Sequence, residues 1–161
     1  FLFESIQLTL GALLIGGIVL IVFEKVGKYS EDSGTDIAQI SYAQAAIVGL
    51  GQSLAVIPGV SRAAATIITG MLMGIPRKTI VEFSFLLAVP TMAAATGYDL
   101  FKNGASFSLD QFHLLFIGFI ASFIFAVIGV RFLLRFIQNH SFAGFGYYRI
   151  IVALVLFAFL I

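Results

Sequence analysis

The sequence predicts an all-α integral membrane protein, a polytopic helix bundle that forms a single membrane domain over residues 1–161. Hydrophobic residues make up 60% of the chain and charged residues only 11%, whereas a soluble domain has about 25% charged residues. The mean hydropathy is +1.09, and apolar runs of about 20 residues, the length that crosses a bilayer, recur along the chain. These charges are too few to cover a water-facing surface, so most of the surface must face lipid.

The counts of cysteine and charge exclude several classes of site. The chain has no cysteine, and its nine basic and eight acidic residues give a net charge of +1. Disulfides, thiolate nucleophiles and cysteine-ligated metals are therefore excluded, and nothing in the charge favours a nucleic-acid partner. The sequence starts at Phe1, inside an apolar run without a methionine, a basic flank or a cleavage site. This start predicts a piece of a longer chain rather than a signal peptide.

Four apolar runs are predicted to span the membrane. The first covers residues 1–23 and is followed by a polar stretch, residues 24–39, that is typical of a solvated loop. Two further full spans are predicted over residues 79–101 and 111–137. The last run, residues 147–161, is shorter. No internal repeat of 20 to 50 residues is visible in the sequence.

Residues 40–75 differ from these spans, because the motif Pro58-Gly59-Val60-Ser61-Arg62 interrupts their apolar run. Neither half is long enough to cross a bilayer alone. Proline lacks an amide donor and glycine permits unusual backbone angles, so a break at this point is expected. The pattern predicts two short helices joined at membrane depth, which is a re-entrant hairpin.

The distribution of basic residues supports the hairpin. If residues 40–75 enter and leave on one side, that side holds nearly all the basic residues and the opposite side holds only Lys102. The positive-inside rule then makes the first side cytoplasmic. A continuous crossing would weaken this asymmetry. The basic residues on the first side are Lys25, Lys28, Arg77, Lys78, Arg131, Arg135 and Arg149.

Arg62 is the charged residue that membrane topology does not explain. An arginine at bilayer depth costs about 2.5 to 3.5 kcal/mol on insertion scales, so it is usually paired or functional. Ser61 is a good N-cap for a helix that begins at Arg62, and the free amides of Ala63 and Ala64 would then point toward the turn. A helix start with these groups is a ready anion site.

Two further residues complete the predicted phosphate site. Thr66 is four residues after Arg62 on the same helix face, so its hydroxyl can reach an anion that Arg62 holds. Gly59 lets the backbone approach the ligand closely. In the alternative interpretation, Arg62 pairs with an upstream carboxylate for structural reasons and Ser61 only caps the helix.

Other ionisable residues carry weaker signals. Glu82 lies about one turn inside its span and could pair with Arg62 or with Arg77 and Lys78. His113 and His140 lack neighbours at metal-ligand spacing and are interpreted as interfacial residues.

The motif from Pro58 to Thr66 resembles the second signature of the bacitracin-resistance family of undecaprenyl-diphosphatases, Pro-Gly-x-Ser-Arg-Ser-x-x-Thr. The likeness continues through residues 70–74, 82–90 and 147–150 and so covers most of the chain. The resemblance implies hydrolysis of undecaprenyl diphosphate to undecaprenyl phosphate and inorganic phosphate. That reaction recycles the lipid carrier of cell-wall synthesis and confers bacitracin resistance.

The resemblance also implies the roles of individual residues. Ser61, Arg62 and Thr66 would be catalytic, Gly59 and Ala63 would help to bind the substrate, and Glu82 could support the site. Ala63 stands where the family usually has a second serine, which removes one hydroxyl. The family's other signature, rich in glutamate and containing Pro-x-Ser-Ser and a histidine, is absent from these residues. This chain therefore resembles the second half of an inverted-repeat fold and holds half of a catalytic site.

The resemblance sets the remaining expectations. No cofactor is identifiable in this chain, but a divalent cation such as Mg²⁺ or Ca²⁺ could bind with carboxylates of the missing N-terminal half. The expected partners are the lipid diphosphate, membrane lipids, that N-terminal half and a second copy in a homodimer. The expected location is the bacterial inner membrane, with the site open to the outer face. The alternatives are a transporter of anions or phospholipids that uses the broken helix to bind, and an inactive membrane module.

Overall fold

A computed structural model describes residues 5–26, 36–104, 112–139 and 141–160 of the chain. These residues are almost entirely helical, and no strand occurs among them. The described residues do not include Lys28, Glu31 and Asp32 of the predicted polar loop, or His140, which the sequence analysis interpreted as interfacial. The helices are α1 (Ile6–Val26), α2 (Tyr42–Gln52), α3 (Arg62–Leu72), α4 (Arg77–Asn103), α5 (Phe112–Asn139) and α6 (Ala143–Leu160), with short 3₁₀ turns at Ile37–Gln39 and Ser53–Val56.

The all-α membrane fold is confirmed. By length and composition, α1, α4, α5 and α6 are each long and apolar enough to cross a membrane, and they correspond to the four predicted spans. The side chains of α5 between Phe112 and Phe136 are largely exposed, as expected of a helix that faces lipid. The protein is therefore an α-helical membrane protein.

Two helix ends differ from the prediction. α1 continues to Val26, so Glu24 and Lys25 belong to the helix rather than to the loop. α6 begins at Ala143, four residues before the predicted start. The predicted span began just after Gly146, but Gly146 is helical and buried, and a Cβ there would lie 2.8 Å from the carbonyl oxygen of Gly17 in α1. Small residues let two membrane helices approach this closely.

α2 and α3 form the predicted hairpin, in which the two short helices pack against each other. Ser41 caps α2 in a reciprocal capping box with Gln44. The Nε2 atom of Gln44 also donates to the carbonyl oxygen of Met73 at 3.2 Å, which joins the beginning of α2 to the end of α3. A Cβ at Gly51 would collide with Thr69, so α2 and α3 are also in close contact at these two residues.

The hairpin begins and ends at the same end of the bundle. Glu24, near the end of α1, forms an ion pair with Arg77, the first residue of α4. The guanidinium of Arg77 also lies 5.1 Å from the centre of the Phe142 ring, just before α6. Since the helix before the hairpin and the helix after it meet here, residues 40–75 do not cross the bundle. The sequence-based prediction of a hairpin is confirmed.

The buried core lies where the hairpin meets α4. Val48 and Ile80 are fully buried, and Ile67, Met71 and Val81 are nearly so. A Cβ at Gly70 would collide with Ile80, so α3 and α4 are in close contact. This contact fixes the end of α3 against the start of α4.

Candidate functional site

The turn of the hairpin is built by Pro58 and Gly59. The carbonyl oxygen of Ile57 accepts a hydrogen bond from the amide of Val60 at 3.1 Å, and Gly59 has a φ of +90°. Proline followed by glycine at positive φ is the pattern of a type II β-turn. A Cβ at Gly59 would collide with the carbonyl oxygen of Thr9, so the turn lies directly against α1. Only glycine satisfies both the backbone angle and this contact.

Ser61 caps α3 as predicted. Its Oγ atom accepts a hydrogen bond from the amide of Ala64 at 3.2 Å, and its carbonyl oxygen accepts one from the amide of Ala65 at 2.9 Å. The sequence predicted free amides at Ala63 and Ala64, but the amide of Ala64 is bonded to the Ser61 cap. The amide of Ala63 stays available to an anion, together with the positive end of the helix dipole.

Arg62 is the first residue of α3 and is partly buried. Its Nη1 atom donates to Oγ1 of Thr91 in α4 at 3.0 Å. Thr91 is fourteen residues after Arg77, about 21 Å along the helix axis at 1.5 Å per residue. Glu82 bonds to neither arginine among the described residues, so the pairing that the sequence left open is absent here.

Thr66 is turned toward the backbone of its own helix. It is fully buried, and its Oγ1 atom donates to the carbonyl oxygen of Arg62 at 2.8 Å. The expectation that its hydroxyl joins Arg62 around an anion therefore does not match this geometry. The helix period puts Thr66 beneath Arg62, but burial against the core turns its hydroxyl back to the backbone. Here it holds the first turn of α3.

Arg149 contacts the turn of the hairpin, although the sequence predicted it among the basic residues of the cytoplasmic side. It is only 9% exposed, and its Nη2 atom donates to the carbonyl oxygen of Gly59 at 2.6 Å. Longer contacts of 3.5 Å join its Nη2 and Nε atoms to the carbonyl oxygens of Ala12 and Leu13 in α1. The guanidinium thus links α6, α1 and the turn, and it holds the turn two residues before Ser61.

Two cavities meet at the turn. One of about 650 Å³ lies between α1 and the hairpin, and one of about 170 Å³ lies between α3, α4, α5 and α6. Ser61, Ala64 and Arg149 line both, and most of the other lining residues are apolar. The site therefore combines a polar centre with apolar space on two sides, which suits an anion that carries a hydrocarbon chain.

Metal ligands are not gathered anywhere in the described part of the chain, where no group of three or more His, Asp and Glu side chains occurs. His113 is exposed in α5, and Asp99 accepts a hydrogen bond from the side chain of Asn103 at 2.7 Å. His113 and Asp99 are both far along the chain from the turn at Pro58 and Gly59. The site described here therefore consists of hydroxyl, amide and guanidinium groups.

Comparison with known proteins identifies the family. The family model described as "Bacitracin resistance protein BacA" matches residues 1–155. The chain belongs to the BacA family. Three relatives named undecaprenyl-diphosphatase illustrate the similarity within this family. The chain is 50% identical over 148 residues to a protein of Aquifex aeolicus, 46% over 143 residues to one of a Sulfurihydrogenibium species, and 39% over 157 residues to one of Methanococcus aeolicus.

The alignments with these BacA relatives cover most of this chain but only part of theirs. They include 92%, 89% and 98% of this chain, in the same order, and 57%, 57% and 62% of the relatives. The chain thus spans about three-fifths of the length of the curated relatives that it matches. Within the matched residues, Pro58 and Gly59 form the turn, and Ser61 and Arg62 lie side by side at the start of α3.

Proposed function

We propose that the full-length protein hydrolyses undecaprenyl diphosphate to undecaprenyl phosphate and inorganic phosphate. Membership of the BacA family and the names of the relatives support this reaction. The observation that carries it is the pair of arginines at the turn. Neither Arg62 nor Arg149 forms an ion pair with a carboxylate among the described residues. Two guanidinium groups without an acidic partner favour a multiply charged anion such as a diphosphate.

The proposed mechanism uses the groups at the start of α3. The guanidinium of Arg62 and the amide of Ala63 bind oxygen atoms of the terminal phosphate, with the helix dipole behind them. The same groups stabilise the negative charge that develops as the bond between the terminal phosphorus and the bridging oxygen breaks. The oxygen atom of water ends on the inorganic phosphate, and the lipid keeps one phosphate.

The proton acceptor and the nucleophile are assigned to the region upstream of this chain. No described histidine or carboxylate is hydrogen-bonded to Ser61, whose Oγ atom caps α3. A serine nucleophile needs an adjacent base. We therefore assign Ser61 to capping and to binding of the phosphate, and Thr66 to support of the helix start.

The depth of the turn supports a site that opens to the outer face of the bacterial inner membrane. Arg62 contacts α4 about 21 Å from Arg77, and a hydrocarbon core is about 30 Å thick. If Arg77 lies at the cytoplasmic interface, as the positive-inside rule favours, the turn is past the middle of the bilayer. The apolar cavity of about 650 Å³ would then receive part of the isoprenoid chain.

The remaining partners are proposals of the same kind. The described residues do not fit a metal site by themselves, so Mg²⁺ or Ca²⁺ bound with the diphosphate would take its carboxylate ligands from the upstream region. That region would supply the first half of the inverted repeat and complete the cavity beside α1. A homodimer is a further proposal.

The test is a phosphate-release assay with the purified full-length protein and undecaprenyl diphosphate in proteoliposomes. We expect inorganic phosphate and undecaprenyl phosphate in equal amounts. A transporter would instead move the phosphorylated lipid between leaflets and release no phosphate, and an inactive module would do neither. Either result would contradict the proposal.

Thr91 is expected to matter because it holds Arg62. In the variant Thr91→Val the shape is kept but the hydrogen bond to Nη1 of Arg62 is lost. A hydrogen bond to a charged group is worth about 1.5 kcal/mol or more, so kcat/KM should fall about tenfold. Thr91→Ser keeps the hydroxyl and should stay close to the wild type. Equal activity of the valine and serine variants would show that the contact does not position Arg62 for catalysis.

A further inference from the structure

The face of α1 that meets Arg149 is made by two adjacent glycines. Gly16 and Gly17 follow Ala12 and Leu13 by four residues, so they stand one turn beyond the two carbonyl oxygens that Arg149 contacts. Side chains of a helix lean toward its N-terminus and would cover this position. Because neither glycine has a side chain, the guanidinium of Arg149 reaches the backbone of α1.

The two glycines face different neighbours. A Cβ at Gly16 would lie 2.6 Å from Nη2 and 3.1 Å from Cζ of Arg149, the flexible end of that side chain. A Cβ at Gly17 would lie 2.8 Å from the backbone oxygen of Gly146 and 2.8 Å from Cγ1 of Ile150. A methyl group at Gly16 therefore displaces the guanidinium and leaves the helices in place. A methyl group at Gly17 pushes α1 and α6 apart.

We propose that Gly16 is a positioning residue for the reaction and acts through Arg149. The proposal rests on the proposed hydrolysis of the lipid diphosphate, but it concerns a residue 43 positions before the turn. Gly16 keeps Nη2 of Arg149 at hydrogen-bond distance from the carbonyl oxygen of Gly59, at 2.6 Å. That bond fixes the turn against α1, and Ser61 and Arg62 follow the turn directly.

The consequence of losing this contact follows from the geometry of the turn. Gly59 is held by its contact with α1 at Thr9 and by Arg149. With the guanidinium displaced, the second of these is lost and the start of α3 is free to shift. A misplacement of reacting groups by about 1 Å can lower the rate about 100-fold. Gly16 lines the cavity of about 650 Å³, but it has no side chain that could act on the phosphate, so its effect on kcat passes through Arg149.

The test compares three glycine-to-alanine variants of the full-length protein. Gly16→Ala should lower kcat by about 10- to 100-fold with little change in melting temperature. Gly17→Ala should lower the melting temperature more than Gly16→Ala does, because the new methyl group would collide with the backbone of α6, which cannot move aside as the side chain of Arg149 can. Gly118→Ala, in α5, is the matched control, since a Cβ there meets nothing within 4 Å. Wild-type turnover of Gly16→Ala, or a loss that only follows its melting temperature, would overturn the proposal.

A double-mutant cycle shows whether Gly16 acts through Arg149. Lysine lacks the Nη2 atom that a methyl group at position 16 would meet, so in an Arg149→Lys background Gly16→Ala should change kcat less than about twofold. If the two losses instead multiply, Gly16 acts by another route and the proposal fails. The same cycle measured on KM separates positioning from loss of substrate affinity.

A labelling experiment tests the contact without using activity. Residues 1–161 contain no cysteine, so Val60→Cys, with any upstream cysteines replaced by serine, places one thiol in the turn. Gly16→Ala should raise its rate of reaction with a maleimide several-fold, whereas Gly118→Ala should not. Equal rates would contradict the proposal. A wild-type protein that releases no phosphate would refute the proposed function alone, because the labelling rates still decide the role of Gly16.

Discussion

Replacing Arg62 by alanine in the full-length protein should lower phosphate release from undecaprenyl diphosphate at least about 1,000-fold. Removal of one group that stabilises charge in the transition state lowers kcat by about 10²- to 10³-fold. The guanidinium of Arg62 also binds the substrate in its ground state, which adds to the loss. The loss should appear in kcat as well as in KM. The measurement is steady-state release of inorganic phosphate at several substrate concentrations.

Two further variants identify what Arg62 provides. Arg62→Lys keeps the charge but replaces the planar fork with a single ammonium, so it should recover part of the activity and remain well below the wild type. Arg131→Ala removes the same charge from an exposed position in α5 and should stay within about twofold of the wild type. Near-normal turnover of Arg62→Ala would remove the main support for the proposed mechanism.

The fold should tolerate the loss of Arg62. Its side chain makes one described hydrogen bond, to Thr91, and alanine is the best helix former at the start of α3. Removal of a charge from membrane depth also offsets the lost hydrogen bond. A melting temperature close to that of the wild type, measured in the same detergent, would show that the lost activity comes from the site.

The hairpin could be predicted because its signals are local in the sequence. Pro58 and Gly59 dictate the type of turn, Ser61 is a favoured cap, and the apolar runs on both sides are too short to span. Each of these properties belongs to one residue or to its immediate neighbours. The prediction that Arg62 lies at membrane depth follows directly from these signals.

Arg149 could not be placed in the same way because its role depends on contacts far along the chain. Its guanidinium meets α1 and the turn, 136 and 90 residues away in the sequence. The prediction also began the last span at Tyr147, which put Arg149 near the interface. Gly146 is helical because α1 packs against it. The role of Gly16 depends on the same tertiary packing, so it can be inferred only from the structure.

The contacts of Glu24 and Thr66 also could not be predicted from the sequence. The sequence placed Glu24 in a solvated loop, but the structure pairs it with Arg77 across the end of the bundle. The helix period placed Thr66 on the face of Arg62, yet the core buries its hydroxyl. Periodicity gives the side of a helix, whereas the partner that covers that side is a property of the fold.

The second large effect is expected for Arg149→Met, which should lower kcat about 100-fold or more while changing the melting temperature little. The variant leaves the partly buried carbonyl oxygen of Gly59 without its donor, which costs about 1 to 3 kcal/mol. It also removes a buried charge whose insertion costs about 2.5 to 3.5 kcal/mol. These two contributions to the free energy of unfolding nearly cancel. Only the lost hydrogen bond to Gly59 affects the position of Ser61 and Arg62.

This near-cancellation distinguishes a role in the site from a role in folding. Arg149→Lys should recover activity only in part, because one ammonium cannot span the turn and α1 together as the fork does. If Arg149 served only to join α1 and α6, the methionine variant would lose melting temperature and activity in proportion. A stable Arg149→Met protein with normal turnover would contradict the role of the guanidinium in holding the turn. A stable protein that has lost kcat is the outcome that the geometry at Gly59 requires.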